Sequence, residues 1–410
     1  MVSPIFTPDF FSSNRAKLKA MITPNTPVII TANGLLQRGA DSSYPFSQDS
    51  NFWYLSGISD PDIVMVIDAE GKEFLIVPIR EGSRVVFDGQ IDVGSLSEVS
   101  GITEIVNETS GWKRLDAILE KNKKLATLAA APPFIEQFGI YSNPSRAHLL
   151  DRLRRHVKDL EIEDIRPQLV DLRMIKQSVE LEAIKTAIDI TVETLKDVLS
   201  TPYGTYNNEY EIEADITHGF RHRGADGHAF EPIVAGGVRA CTMHNINNNF
   251  NLTRGELVIL DVGSAVSGYA SDITRVYSTD KPTTRQKEVF RAVKDTQEYA
   301  ISLLKPRVSL RTYEHQVTKF IGRKLKELKI IDKINENNIR RYFPHATSHF
   351  LGLNVHDVGN YMKPLREGMV ITVEPGIYIP EEGIGIRIED DILITNDGAK
   401  VLSASLPTKL

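Results

Sequence analysis

Short apolar runs and amphipathic stretches alternate through the first part of the chain. Pro27-Val28-Ile29-Ile30 and Ile63-Val64-Met65-Val66-Ile67 are β-branched runs with the length of buried strands. Lys72-Glu73-Phe74-Leu75-Ile76-Val77 follows the turn residues Glu70-Gly71, so a hairpin is predicted there. Asn143-Pro144-Ser145 opens a predicted helix that continues through Leu149, Leu150 and Leu153. The polar stretch 161–167 is the expected boundary, giving domains of residues 1–167 and 168–410.

Beyond that boundary the period lengthens. Leu181, Ile184, Ile188, Val192, Leu195 and Leu199 recur at helical spacing, which predicts a long helix over 178–199. Ser178 is the candidate N-cap, with Glu180 and Glu182 in the first turn, and Pro202 and Gly204 end it. Further amphipathic helices are predicted over 208–221 and 285–304, and 319–333 has helical spacing with a solvated lysine face.

The second half also holds an internal repeat. Arg254-Gly255-Glu256-Leu257-Val258-Ile259-Leu260-Asp261-Val262-Gly263 resembles Arg366-Glu367-Gly368-Met369-Val370-Ile371-Thr372-Val373-Glu374-Pro375-Gly376. Each copy is an apolar strand ending in a carboxylate, with a glycine two residues on. Each is followed by a predicted second strand with its own acid, Asp272 or Glu389. Strand alternation puts Arg387 and Glu389 on one face. Two such hairpins facing across a pseudo-twofold axis would gather four carboxylates.

Composition narrows the class. With 410 residues, 41% hydrophobic and 25% charged, the chain reads as a globular protein of two or three domains. A net charge of −6 provides no basic footprint for nucleic acid. No apolar run approaches the roughly 18 residues of a membrane span. The N-terminal Met1-Val2-Ser3-Pro4-Ile5-Phe6 lacks the charged-then-apolar order of a secretory signal, so a cytoplasmic protein is expected. Cys241, the single cysteine, rules out an intramolecular disulfide and reads as a small core residue.

The chemistry concentrates near the end. His345, His349 and His356 fall within twelve residues, where the composition of ten histidines in the chain would place about 0.3. Together with Asp261, Asp272, Glu374 and Glu389 they describe an oxygen-rich site for divalent cations. Buried together, four carboxylates repel, and two divalent ions would balance them with His349 neutral. Bridged ions would lower the pKa of a shared water, so metal-assisted hydrolysis is expected. The plainer alternative is strand-end acids paired with arginine. Other motifs fail: His218 and His222 with nearby His228 lack the glutamate of a zincin helix, since Gly219 follows His218. There is no Walker loop, dinucleotide fingerprint or G-x-S-x-G elbow.

These residues resemble the creatinase/methionine-aminopeptidase superfamily of pita-bread metallopeptidases, and most closely its Xaa-Pro aminopeptidase (aminopeptidase P) branch. The resemblance runs through Phe230-Glu231-Pro232-Ile233-Val234-Ala235-Gly236-Gly237, the two aspartate strands, 345–359, Val373-Glu374-Pro375-Gly376 and 385–391. It extends to Asp41-Ser42-Ser43-Tyr44-Pro45-Phe46 and Asn51-Phe52-Trp53-Tyr54-Leu55-Ser56-Gly57. It implies an α+β fold: a C-terminal pita-bread catalytic domain with a pseudo-twofold repeat, preceded by a smaller α/β creatinase-type domain. It implies metal ligands at Asp261, Asp272, His349, Glu374 and Glu389, with Asp272 and Glu389 bridging two ions, most simply Mn²⁺ with Co²⁺, Zn²⁺ or Fe²⁺ able to substitute. It implies catalytic roles for His244, His345, His356, Glu374 and Arg387, although Asn245 stands where many relatives carry tyrosine. The implied reaction is attack by a metal-bridging hydroxide on the bond before proline in peptides with a free N-terminus. A homodimer or homotetramer is implied, with no nucleic-acid or membrane partner. The alternatives are an Xaa-Pro dipeptidase on the same scaffold and a catalytically silent pita-bread binding module.

Overall fold

The computed structural model describes residues 5–128, 135 and 138–410, so the reading of the N-terminus falls partly, at residues 1–4, outside the described residues. The chain forms two compact units, Met1–Leu172 and Arg173–Leu410. The polar stretch 161–167 is itself structured. It supplies Glu161–Asp164, an edge strand of the first unit's sheet, and opens the helix Arg166–Met174.

The first unit is built on a six-stranded mixed sheet. Its middle is the antiparallel set Val28–Thr31, Val64–Ile67 and Glu73–Val77, which includes the predicted hairpin. Ile105–Asn107, Lys124–Thr127 and Glu161–Asp164 add in parallel. Ile29, Val64, Val66, Phe74 and Ile76 pack with Leu115 and Leu119 of helix Glu108–Asn122 and with Leu149 and Leu153 of helix Ser145–His156. Full burial of each such aliphatic or aromatic side chain contributes about 1.5–3 kcal/mol.

In the second unit the long helix is Ser178–Ser200, burying Ile184, Ile188, Val192 and Leu195 along the expected stripe. Its N-cap is Gln177 rather than Ser178, because the Gln177 amide donates to Glu180 Oε2 at 2.9 Å and fixes the first turn one residue earlier. Helices Glu209–His222 and Thr284–Ser302 lie where the pattern put them. The helix expected over 319–333 is instead Leu310–Glu327. Its buried stripe begins at Leu310 and Tyr313, and Lys329, in a left-handed conformation at φ 59°, prevents continuation.

Two antiparallel ribbons carry the repeat. In the first, Leu257–Val262 pairs with Ile273–Ser278 and the ladder continues as Ser264–Val266 with Tyr269–Ala270. In the second, Val370–Val373 pairs with Asp390–Ile394 and continues as Gly376–Ile379 with Ile384–Arg387. Ile233–Gly236 flanks the first ribbon and Ala399–Val401 the second. The register holds through each interruption: Val262↔Ile273 leads to Ala265↔Ala270, and Val373↔Asp390 leads to Gly376↔Arg387. Asp272, Glu374 and Glu389 therefore sit in the gaps between strand segments, not on the strands where sequence alone put them. Amides freed by the gaps are taken across the ribbons. Asp272 N–H donates to Asp391 Oδ2 at 3.1 Å, and Glu389 N–H to the Thr274 carbonyl at 3.2 Å. The α+β expectation and its pseudo-twofold repeat are both present.

The repeated glycines have separate reasons. A Cβ on Gly263 would lie 1.8 Å from the Ser271 carbonyl oxygen, and one on Gly376 would lie 2.4 Å from the Tyr378 hydroxyl. The Gly263 neighbour is backbone and cannot swing away. Gly263→Ala is expected to destabilise the second unit by about 2–3 kcal/mol, read as a lowered denaturant midpoint beside the parent chain.

Candidate metal centre

The ribbon gaps bring Asp272, Glu374 and Glu389 to His349. One atom each from Asp272, His349 and Glu389 lie within 4.8 Å of one another. His349 Nε2 is 3.4 Å from Asp272 Oδ2 and 3.4 Å from Glu374 Oε1. Asp261 joins through Arg387, whose guanidinium donates to Asp261 Oδ2 and, through Nε, to Thr274 Oγ1 at 3.2 Å. The Thr274 hydroxyl donates in turn to Glu389 Oε2 at 2.6 Å. Arginine therefore does pair with one of the four acids, as the plainer alternative held, but among the described residues it reaches one oxygen of one of them.

The remaining atoms ask for a cation. Among the described residues, Asp261 Oδ1 and Asp272 Oδ1 are buried without a hydrogen-bond partner, an expensive state for a carboxylate. His349 Nδ1 lies 3.1 Å from the Phe350 carbonyl, so that nitrogen carries the hydrogen. The other ring nitrogen, Nε2, then faces the Asp272 and Glu374 carboxylates, 3.4 Å from each. A metal ligand has this arrangement: the far ring nitrogen tied to a carbonyl and the near one aimed among acids.

The electrostatics agree. Burial, with Asp261, Asp391 and Glu374 close by, pushes Asp272 well above the usual carboxylate range. Burial and the neighbouring Asp272 and Glu374 do the same to Glu389. Burial lifts Glu374 to about 7, although His349 and Arg387 pull the other way. These three acids resist ionising beside their neighbours, and divalent ions remove that resistance. The residues present fit a divalent-metal site.

The expected accessory residues surround this centre. His345 stacks edge-on to Tyr378, and burial and the Arg387 charge lower its pKa to about 3, so the ring is neutral. A directed chain follows: Arg387 Nη1 donates to the Tyr378 hydroxyl at 2.8 Å, the Tyr378 O–H donates to His345 Nε2 at 2.7 Å, and His345 Nδ1–H donates to the Ala346 carbonyl at 2.8 Å. His356 packs edge-on against His349 with ring centroids 4.3 Å apart. Partial burial and the charges of His349 and His244 lower it to about 4. His244 is on an exposed loop close enough for that influence.

Tyr378, Thr274 and Asp391 escaped the sequence reading. Their one signal is a polar residue inside an otherwise apolar strand. By contrast His218 and His222 stack on an exposed helix face, and His228 Nε2 meets Thr217 Oγ1 at 2.8 Å instead of joining them. Cys241 is half-buried, its thiol raised to about 11 by burial. No helix among the described residues is long and apolar enough to cross a membrane.

Comparison with known proteins agrees with this geometry. The model of metallopeptidase family M24 matches residues 182–396, and that of the aminopeptidase P N-terminal domain matches residues 11–127. The Xaa-Pro aminopeptidase of Haemophilus influenzae is 33% identical over 98% of this chain and 95% of its own. That of Escherichia coli is 31% identical over 97% and 95%. The solved structure of Escherichia coli aminopeptidase P with the inhibitor Pro-Leu superposes with a TM-score of 0.86 at 28% identity, covering 98% of this chain and 96% of the other. A centre of this kind, at the meeting of two kinked ribbons, defines a pita-bread metallohydrolase. The chain belongs to metallopeptidase family M24, with an aminopeptidase P type N-terminal domain.

The raised carboxylates make a pH signature. An ionic group held above its unfolded pKa stabilises the fold while protonated and loses that contribution as pH climbs through the folded value. For Glu374 the window runs from the ordinary glutamate range, about 4.3, to about 7. Chelator-treated protein should melt at progressively lower temperature from about pH 5 to about pH 8. Mn²⁺ added at the upper end should restore most of the loss, as scanning calorimetry would show.

Proposed function

We propose that this chain is a metal-dependent aminopeptidase that releases the N-terminal residue from peptides with proline in second position, and that its centre holds two divalent ions, Mn²⁺ by preference. The observation that carries this is the convergence of Asp272, His349 and Glu389, with Glu374 beside His349 and bare oxygens on Asp261 and Asp272. Asp261, Asp272, His349, Glu374 and Glu389 would hold the ions. Charge supports two. Arg387 offsets one of four ionised carboxylates. A single dication would leave one negative charge over, whereas two leave a single positive excess, the polarity that favours an oxyanion. Zinc stands in for the native ion in an Escherichia coli relative with bound product, so several divalent ions are expected to serve.

Bound divalent ions supply Lewis acidity, polarising a carbonyl and lowering the pKa of water. The residues do the rest. Glu374, whose Oε1 lies 3.4 Å from His349 Nε2, takes a proton from the attacking water and carries it toward the departing imide nitrogen. His356, lowered to about 4 and therefore neutral, and the nearby His244 offer ring N–H groups to the substrate carbonyl. Arg387 keeps Asp261 turned toward the centre, and the Tyr378 hydroxyl fixes the His345 ring as a wall for the proline. Domain limits of 1–167 and 168–410, a cytoplasmic location and a homodimer or homotetramer complete the reading. The Xaa-Pro dipeptidase alternative is not favoured, since the relatives above are named aminopeptidases.

Two assays test this. Chelated enzyme should recover cleavage of Xaa-Pro-Xaa peptides as Mn²⁺ is titrated to two equivalents, with Xaa-Pro dipeptides turned over poorly. Preference for the dipeptide would overturn the substrate assignment. Asp272→Asn should lower kcat on the order of 10³-fold with circular dichroism unchanged. Near-parental turnover would remove Asp272 from the centre.

A further inference from the structure

His356 reaches solvent, and among the described residues neither of its ring nitrogens has a hydrogen-bond partner. The ring packs edge-on against His349, its one ring partner among the described residues. With no hydrogen bond to orient it, its position depends on its backbone. The next residue, Asp357, is buried, and its carboxylate is held by two cations. We propose that Asp357, clamped by Arg173 and Lys176, is the positioning residue that sets the imidazole of His356 in the catalytic centre. This rests on the aminopeptidase reading for its kinetic part only.

The clamp is built from opposing charges out of water. Arg173 donates to Asp357 Oδ1, and Lys176 Nζ lies 3.0 Å from Oδ2, with all three side chains at most 2% exposed. Lys176 also donates to the Arg173 carbonyl at 2.8 Å, and its own N–H donates to the Gly368 carbonyl at 2.8 Å, so the cations are fixed to the second ribbon's entry. The loop is fastened at its other side too. Asp357 N–H donates to the Phe350 carbonyl at 2.8 Å, and the Gly352 carbonyl accepts from Ala270 of the first ribbon at 2.8 Å. A Cβ on Gly352 would lie 2.1 Å from Asp357 Oδ2 and 2.7 Å from Lys176 Nζ, so the clamp is pressed directly against the loop backbone. Next to it Tyr269 donates to buried Glu180 at 2.9 Å.

What passes to His356 is geometry rather than charge. Burial alone would raise Asp357, yet Arg173 and Lys176 hold it below the usual carboxylate range. Its negative charge is spent on two cations. A buried carboxylate so placed has a fixed direction, and the chain one residue earlier inherits it.

The test is a mutant cycle read on peptide hydrolysis and on imidazole NMR of the chelated protein. Asp357→Asn is expected to lower kcat by about 10- to 100-fold, with KM nearly unchanged. In a His356→Ala background the same change should cost no more than about twofold, because its route has been removed. The His356 ring signals, assigned by their absence from His356→Ala, should shift or broaden while those of His345 stay. Should Asp357→Asn fail to fold, Lys176→Met, which keeps the arginine pair, decides with the same readings and a smaller fall. An equal loss in both backgrounds, or kcat within twofold of parent with unmoved His356 signals, overturns the assignment. If the parent enzyme itself leaves Xaa-Pro-Xaa peptides intact, the aminopeptidase reading fails, and the ring signals alone decide the clamp.

Discussion

Four carboxylates sharing one buried volume are unstable company, and much of the second unit is arranged around that fact. Mutual repulsion and lost hydration keep Asp272 and Glu389 from ionising freely. A single guanidinium, Arg387, carries one positive charge among four acids and, among the described residues, pairs directly with Asp261 alone of them. The chain could have filled the space with apolar side chains at lower cost. That it holds acids with bare oxygens there makes sense only if cations take part.

Backbone geometry makes this crowding possible. An uninterrupted ribbon would send successive side chains to opposite faces. Each ribbon here pauses for a residue or two without losing register, and the pauses place Asp272, Glu374 and Glu389 at the same level. The copies are not equal. The first keeps Asp261 inside a strand, opposite Thr274, whereas the second puts Glu374 in the gap itself. Arg387 meets this asymmetry by reaching from the second ribbon to Asp261, with the Tyr378 hydroxyl holding the other arm of its guanidinium.

Much of this was legible in the sequence because duplication shows in one dimension. Two apolar runs, each with an acid, a glycine and a second acid at similar offsets, need no tertiary knowledge to be noticed. The histidine spacing and the family resemblance supplied the rest of the expected ligand set. What stayed hidden depends on contacts between distant segments. Tyr378 looks like any aromatic strand residue until Gly376 leaves room for its hydroxyl. Asp357 looks like a candidate for chemistry beside His356, yet it faces away, toward Arg173 and Lys176. The helix starts at Leu310, ahead of the spacing over 319–333, because Leu310, Tyr313 and Val317 already belong to its buried stripe. Ser178 lost the cap to Gln177 because a side chain three residues on reached back one position further than the residue-type preference suggests.

The amides freed in the ribbon gaps are held across the interface, Asp272 by Asp391 and Glu389 by Thr274. Neither hairpin can slide by one residue without breaking a bond in the other. Length variation in this part of the chain is therefore confined to the far tips, where Ser267-Gly268 and Gly383 already adopt left-handed turns. Residues added there extend the ribbons outward and leave the ion-binding level untouched, so the tips are the natural places to graft a loop or tag.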